Sequence, residues 1–133
     1  VYAAWGVQNR TTAVRVINDS AKSTRIEFRV PSADTNPHSA LAMCIAAGLW
    51  GIENRITPPA KRDDDCYASG GPPEAQFPHD LTAAADRLAA SDTARSIFSD
   101  AFVDNYAFVC RQEDMSYRKA VSAWERQRYL EFV

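Results

Sequence analysis

The 133-residue chain lacks most of the usual catalytic signatures. It has five glycines and no glycine-rich phosphate loop, which excludes a backbone cradle of that kind for a nucleotide. No serine stands in a nucleophile elbow, and no pair of histidines has metal-ligand spacing. His38 and His79 are isolated and read as loop or packed histidines. Cys44, Cys66 and Cys110 are odd in number and widely spaced. They fit neither a zinc pattern nor a disulfide framework, so a reducing, cytoplasmic setting is expected. A formal net charge of −2 gives no general attraction to nucleic acid or to an anionic membrane. The most apolar run, Ala40–Ile52, is shorter than the roughly 20 residues of a membrane span. No signal-peptide pattern, internal repeat or low-complexity tract is visible.

What remains is an ordinary globular composition, 46% apolar and 24% charged. The length suits one domain or a piece of a larger one. The chain opens VYAAWG, without a methionine, and closes RQRYLEFV like the end of a helix. The expectation is the C-terminal part of a longer chain.

The pattern predicts an α+β fold, with an N-terminal antiparallel β ribbon followed by several helices. Thr11–Ile17 is β-branched and reads as a strand, Asn18–Ser23 as a turn-rich loop, and Thr24–Val30 as the second strand. Asn36 caps the next helix, with Pro37 at its first position. That helix is apolar on nearly every side and should be buried in a larger core. Residues 57–80 hold five of the seven prolines and the run Asp63–Asp65, and read as a long surface loop. The three aspartates lack the spaced ligands of a calcium loop and read as solvated. Further helices follow from Leu81, from Ser91 or Asp92, and from about Asp100. Phe102, Tyr106 and Val109/Cys110 form a helical stripe expected to pack in the core. In the tail, Trp124, Tyr129 and Phe132 can anchor it to another subunit or fold it back onto its own domain.

Arg25–Val30, RIEFRV, carries the informative charges. Arg25, Glu27 and Arg29 alternate onto one face, with neighbours about 6.6–7 Å apart. At an effective dielectric near 20, each opposite pair attracts by about 2.4 kcal/mol. The triplet is therefore self-compensating, as in a plain salt-bridge ladder. The preceding strand adds Arg15, and Arg10 lies just before it. If Arg15 faces Glu27, four arginines meet one carboxylate. An anion relieves such an excess, and arginine's planar fork suits phosphate or carboxylate oxygens. A lone glutamate among them can hold a divalent metal that bridges phosphates. From the residues alone, a nucleotide-phosphate site and a solvated ion-pair ribbon both stand open.

Three segments together resemble the glutamine synthetase family, specifically the C-terminal part of its catalytic domain. Asn9–Arg15, NRTTAVR, resembles the family's N-R-[ST]-x-x-x-R segment, and Arg25–Arg29, RIEFR, its R-[IV]-E-x-R strand. Asn36–Asn54, NPHSALAMCIAAGLWGIEN, is similar to its N-P-Y helix, with His38 in place of the tyrosine. Their order and spacing are nearly the family's, and the likeness runs over essentially all of residues 1–133, densest from Trp5 to Pro59.

The resemblance implies an ATP-dependent ligase that activates the γ-carboxylate of glutamate as an acyl phosphate for attack by ammonia or another amine. Arg10 and Arg15 would contact the nucleotide phosphates, Arg10 with the catalytic role on the phosphoryl group in flight. Arg25 would bind ATP phosphate. Glu27 would be a ligand of a catalytic Mg²⁺ or Mn²⁺ ion, and Arg29 would hold the carboxylate of glutamate. The loop Asn18–Ser23 varies among relatives, and Lys22 takes no role. The family's other metal ligands and its smaller N-terminal domain lie upstream. A neighbouring subunit's N-terminal domain completes each site in a homo-oligomeric ring, so this segment alone should be inactive. The ending from Trp124 resembles the branch that uses polyamines or other amines. Two other readings are a relative kept as a structural or interaction protein without activity, and an independent small domain with a structural ribbon.

Overall fold

The computed structural model describes residues 2–130. The chain forms two compact units, Val1–Phe77 and Pro78–Val133.

The first unit carries a three-stranded sheet, β1 (Trp5–Val7), β2 (Val14–Ile17) and β3 (Arg25–Phe28), in the order β1-β2-β3. The β2–β3 pair is the expected antiparallel ribbon, with Arg15 opposite Glu27 and Ile17 opposite Arg25. Its strands are shorter than expected. Thr11 and Thr12 belong to the preceding turn, where the Thr12 hydroxyl meets both Asn9 O and Val14 O at 2.9 Å. Such local side-chain bonds compete with the ladder. The parallel neighbour β1 was not foreseen. WGV is too short for a recognisable alternation. Residues 8–13 also bring the chain back in far fewer than the dozen or so residues of a usual parallel crossover. Gln8, at φ 54°, makes the reversal.

The sheet's two faces differ. Arg15, Glu27 and Arg29 share one of them. The other shows Val14, Val16, Ile26 and Phe28 around an apolar hollow of about 540 Å³, with Trp5 and Pro59 on its wall.

Helix α1 (Pro37–Glu53) starts as expected, the Asn36 carboxamide oxygen accepting from His38 N at 3.0 Å and Ser39 N at 3.2 Å. Its expected burial is not met among the described residues. None of its residues is buried, and Leu41, Ile45, Leu49 and Ile52 all stand exposed. No described element covers this stripe, which is why an all-round apolar helix stays open.

Residues 57–80 run over the surface as expected, and they are ordered. They contain the one-turn helix α2 (Cys66–Ser69) and a 3-10 turn at Pro73–Ala75. Tyr2, Ala4 and Cys66 form a small buried cluster, with Ala75 against it. A Cβ at Gly71 would lie 2.2 Å from the Tyr2 ring, so only glycine permits this packing. The three aspartates each have a local task. Asp63 pairs with Lys61, Asp64 takes a two-point bond from Arg62, and Asp65 caps α2. Arg62 holds the Asp64 carboxyl far below the usual carboxylate range.

In the second unit, α3 (Leu81–Ala89), α4 (Asp92–Phe98), α5 (Asp100–Lys119) and α6 (Ala123–Tyr129) follow one another, with Asp80 and Ser91 capping the first two. The core stripe of α5 is displaced by one residue from the expected one. Val103 and Ala107 are fully buried, while Phe102 is exposed, stacked with Tyr106 and tilted against Phe98 along the flank. The small Ala85 of α3 and Ala107 of α5 are buried together with Val103, a set that suits close helix approach. Farther along, buried Asp114 accepts from Thr82 Oγ1 at 2.7 Å and from Arg118 Nε at 2.6 Å. Helix α6 starts with a reciprocal Ser122–Glu125 capping box and leaves Trp124 and Tyr129 exposed, edge to face with each other. Phe132, the third expected anchor, lies outside the described residues. No helix among the described residues is long and apolar enough to cross a membrane.

Candidate functional site

Antiparallel pairing sets Arg15 directly across from Glu27, and alternation along the chain brings Arg29 to the same side. Arg29 lies just past β3, yet its N–H still reaches Ala13 O at 2.8 Å, which prolongs the ribbon by one bond. Arg15 Nη1 lies 3.3 Å from Glu27 Oε2, and Arg29 Nη1 bonds Glu27 Oε1. One carboxylate is thus held between two guanidiniums. The Arg29 hydrogen bond, with help from Arg15, lowers the Glu27 pKa against the opposing effect of desolvation. Glu27 therefore stays ionised at neutral pH.

Arg15 is fixed on a second side, Nη2 donating to Gln8 Oε1 at 2.7 Å, while Gln8 Nε2 donates to Asp19 at 2.6 Å. The buried Nε of Arg15 has no hydrogen-bond partner among the described residues.

The other two expected residues are not drawn into this cluster. Arg25 shares the strand face of Glu27 by alternation, but its Nη1 turns back to Ser23 O at 2.9 Å. Arg10 lies in the β1–β2 loop, exposed, and its guanidinium has no partner among the described residues. His38 and His79 are both exposed.

Gln8, Asn9 and Thr11 were missed as site residues. Asn9 Oδ1 accepts from Thr11 N at 2.9 Å and Thr11 Oγ1 at 2.7 Å, an Asx turn closed around Arg10. The turn-forming habit of asparagine beside an arginine was the available signal. What those side chains hold, at positions 62–66, had none.

A metal ion needs several ligands. Among the described residues, no group of three or more acidic, histidine or cysteine side chains is placed so that it could hold a metal ion. Glu27 has carboxylate oxygens of the kind a hard cation takes, and Arg15 and Arg29 hold one each.

The family model described as "Glutamine synthetase, catalytic domain" matches residues 1–129. The chain is 34% identical to a glutamate–isopropylamine ligase of a Pseudomonas species over 98% of its own length and 28% of that protein's. It is 35% identical to a type-1 glutamine synthetase of Dictyostelium discoideum, covering 97% of the chain and 25% of that protein. A gamma-glutamylethanolamide synthetase of Streptomyces coelicolor is 38% identical over 96% of the chain and 27% of its own length. Among solved structures, ligand-free GmaS superposes with a TM-score of 0.75 at 32% identity, over 97% of this chain and 30% of that one. The GmaS–ADP complex gives 0.74 at 34% identity, over 97% and 29%. The chain thus spans under a third of the length of these relatives. With the family match running almost end to end, the chain belongs to the glutamine synthetase family and matches its catalytic domain.

Proposed function

We propose that residues 1–133 are the C-terminal part of one catalytic domain of an ATP-dependent ligase. It joins glutamate to ammonia or another amine through γ-glutamyl phosphate. The observation that carries the reading is the Arg15–Glu27–Arg29 cluster on one sheet face, with Arg10 presented nearby in sequence and uncompensated.

In the first step a γ-carboxylate oxygen of glutamate bonds the terminal phosphorus of ATP while the bond to the bridging oxygen breaks and ADP leaves. In the second, the amine nitrogen bonds the acyl carbon, loses a proton, and inorganic phosphate departs. Little covalent chemistry falls to the protein. Its work is charge neutralisation and alignment of the attacker. Arg10 and Arg15 take the phosphates and the group in flight, and Arg25 swings from Ser23 O to add to the ATP contacts. Arg29 holds the glutamate carboxylate. Glu27 would be one oxygen ligand of a Mg²⁺ or Mn²⁺ ion, whose chemistry would be to neutralise phosphate charge. The remaining ligands come from outside the described residues.

The acceptor is left as ammonia or another amine because relatives named for each are similar at nearly equal identity. The full-length protein is read as a homo-oligomeric ring in the cytoplasm, each site completed by a neighbour, and this segment alone as inactive.

The test uses the full-length protein and follows phosphate release from MgATP and glutamate, with ammonium, putrescine, spermidine, ethanolamine and isopropylamine as separate acceptors. Release that needs both glutamate and one amine supports the ligase. No release with any of them, from a folded oligomer, favours a structural relative instead.

A further inference from the structure

Arg10 has no partner of its own, yet the backbone that carries it is tied on both sides. Asn9 Nδ2 donates to Arg62 O at 3.2 Å and to Asp64 O at 2.9 Å. Thr11 Oγ1 accepts from Cys66 N at 3.0 Å. The same two side chains close the Asx turn over Arg10. All of the Asn9 carboxamide's donors and its oxygen are therefore engaged, half within the turn and half on a segment more than fifty residues later. That segment is itself fastened to β1. Arg62 N bonds Trp5 O at 3.0 Å, and Trp5 Nε1 bonds Pro59 O at 2.7 Å. Its own geometry is set by the Arg62–Asp64 pair and by Asp65 capping α2.

We infer that Asn9 and Thr11 are positioning residues for Arg10. Together with residues 62–66 they form a bracket that fixes the arginine loop against the sheet edge, making the segment after α1 a structural part of the phosphate site. This rests on the reading of Arg10 given above. A flexible side chain that must meet a transferring phosphoryl group loses less freedom when its backbone is already held. Displacement of the reacting geometry by about 1 Å costs on the order of a hundredfold in rate.

The test is a double-mutant cycle in the full-length protein, read as phosphate release with the acceptor that supports turnover. Asn9→Ala and Thr11→Val are each expected to lower kcat/KM for MgATP by about tenfold or more, with KM for glutamate changed less than about twofold. Thr11→Ser, which keeps the hydroxyl, should restore it. In an Arg10→Ala background, Asn9→Ala should add less than about twofold, because its effect runs through Arg10. Full multiplication of the two effects, or a rise in KM for glutamate as large as the loss in kcat/KM for MgATP, overturns the inference while leaving the proposed function in place. If Arg10→Ala alone leaves kcat/KM for ATP unchanged, the reading of Arg10 fails and the bracket's role fails with it. Should Asn9→Ala not yield a folded oligomer, the Thr11→Val cycle with Arg10→Ala decides by the same criterion.

Discussion

Gly6 lies in β1 directly beneath the segment that brackets Arg10. A Cβ built there would stand 2.5 Å from Arg62 O and 2.8 Å from Asn9 Cβ. Both are parts of the bracket, and the first is backbone, which cannot rotate away. To reach the 3.4 Å of ordinary contact, the Arg62 carbonyl must retreat about 0.9 Å from its 2.5 Å position. The Asn9–Arg62 hydrogen bond, already 3.2 Å long, would then be lost, and the Arg62–Trp5 bond at 3.0 Å would be strained. Overpacking of this kind costs about 1–3 kcal/mol. Each hydrogen bond lost adds about 1 kcal/mol, so Gly6→Ala should weaken the local structure by roughly 2–5 kcal/mol. Native-state hydrogen exchange in the full-length protein reads this directly, because the Arg62 and Cys66 amides donate to Trp5 O and Thr11 Oγ1. Their exchange should speed up by about tenfold or more, and kcat/KM for MgATP should fall with it. Unchanged exchange at both amides would refute the close packing of residues 62–66 on β1.

Arg29→Ala should raise KM for glutamate by about 10- to 100-fold, the worth of a charge-assisted hydrogen bond, with much less effect on ATP. Steady-state kinetics on each substrate check this, and equal effects would refute the assignment. Glu27→Gln should abolish activity at any metal concentration that saturates the wild type, which metal titration of turnover measures. The same variant has a signed pH dependence. The Glu27 pKa is depressed in the folded state, so its ion pairs stabilise above the ordinary value of 4.5 and that stability is lost as pH falls through the lowered one. The gap in melting temperature between wild type and Glu27→Gln should therefore be constant near neutrality and shrink on acidification, and a gap that widens in acid would refute it. In the second unit, Val103→Ala removes two methyl groups from a fully buried position and should cost about 2–3 kcal/mol by urea unfolding. Phe102→Ala, on the exposed flank, should cost less.

The ribbon was legible in the sequence because β-branched residues and alternating charge pointed to the same period, and the cap at Asn36 because Asn-Pro has one good place in a helix. The register that faces Arg15 to Glu27 was a condition in the sequence and is a pairing in the structure. Other features depended on partners far along the chain. β1 exists because residues 14–16 accept it as a neighbour, and three residues carry no periodicity of their own. The core stripe of α5 was misplaced because aromatics suggested burial, whereas the residues buried along that helix and α3 are Val103, Ala107 and Ala85. The charged face of α5 hides one more exception. Asp114 is buried because Thr82 and Arg118 satisfy it; Arg118 stands four residues on along the same helix, a spacing the sequence shows, whereas nothing in the sequence marks Thr82 on α3.

Under the proposed function, the two readings of RIEFRV describe one arrangement, an ion-pair cluster that also receives ligands. Glu27 between Arg15 and Arg29 is a salt-bridge cluster, and as such it needs no anion to stand. A self-compensated cluster also holds its guanidiniums in place before an anion arrives, and on the proposed reading that preorganisation serves phosphoryl transfer. Arg25, bonded to Ser23 O, and Arg10 stand outside this cluster, and no carboxylate among the described residues pairs with either. For Arg10, order must come from the backbone instead. On the inference drawn above, that is the part played by the hydrogen bonds that converge on its two neighbours, Asn9 and Thr11, from the carbonyls and amide of residues 62–66.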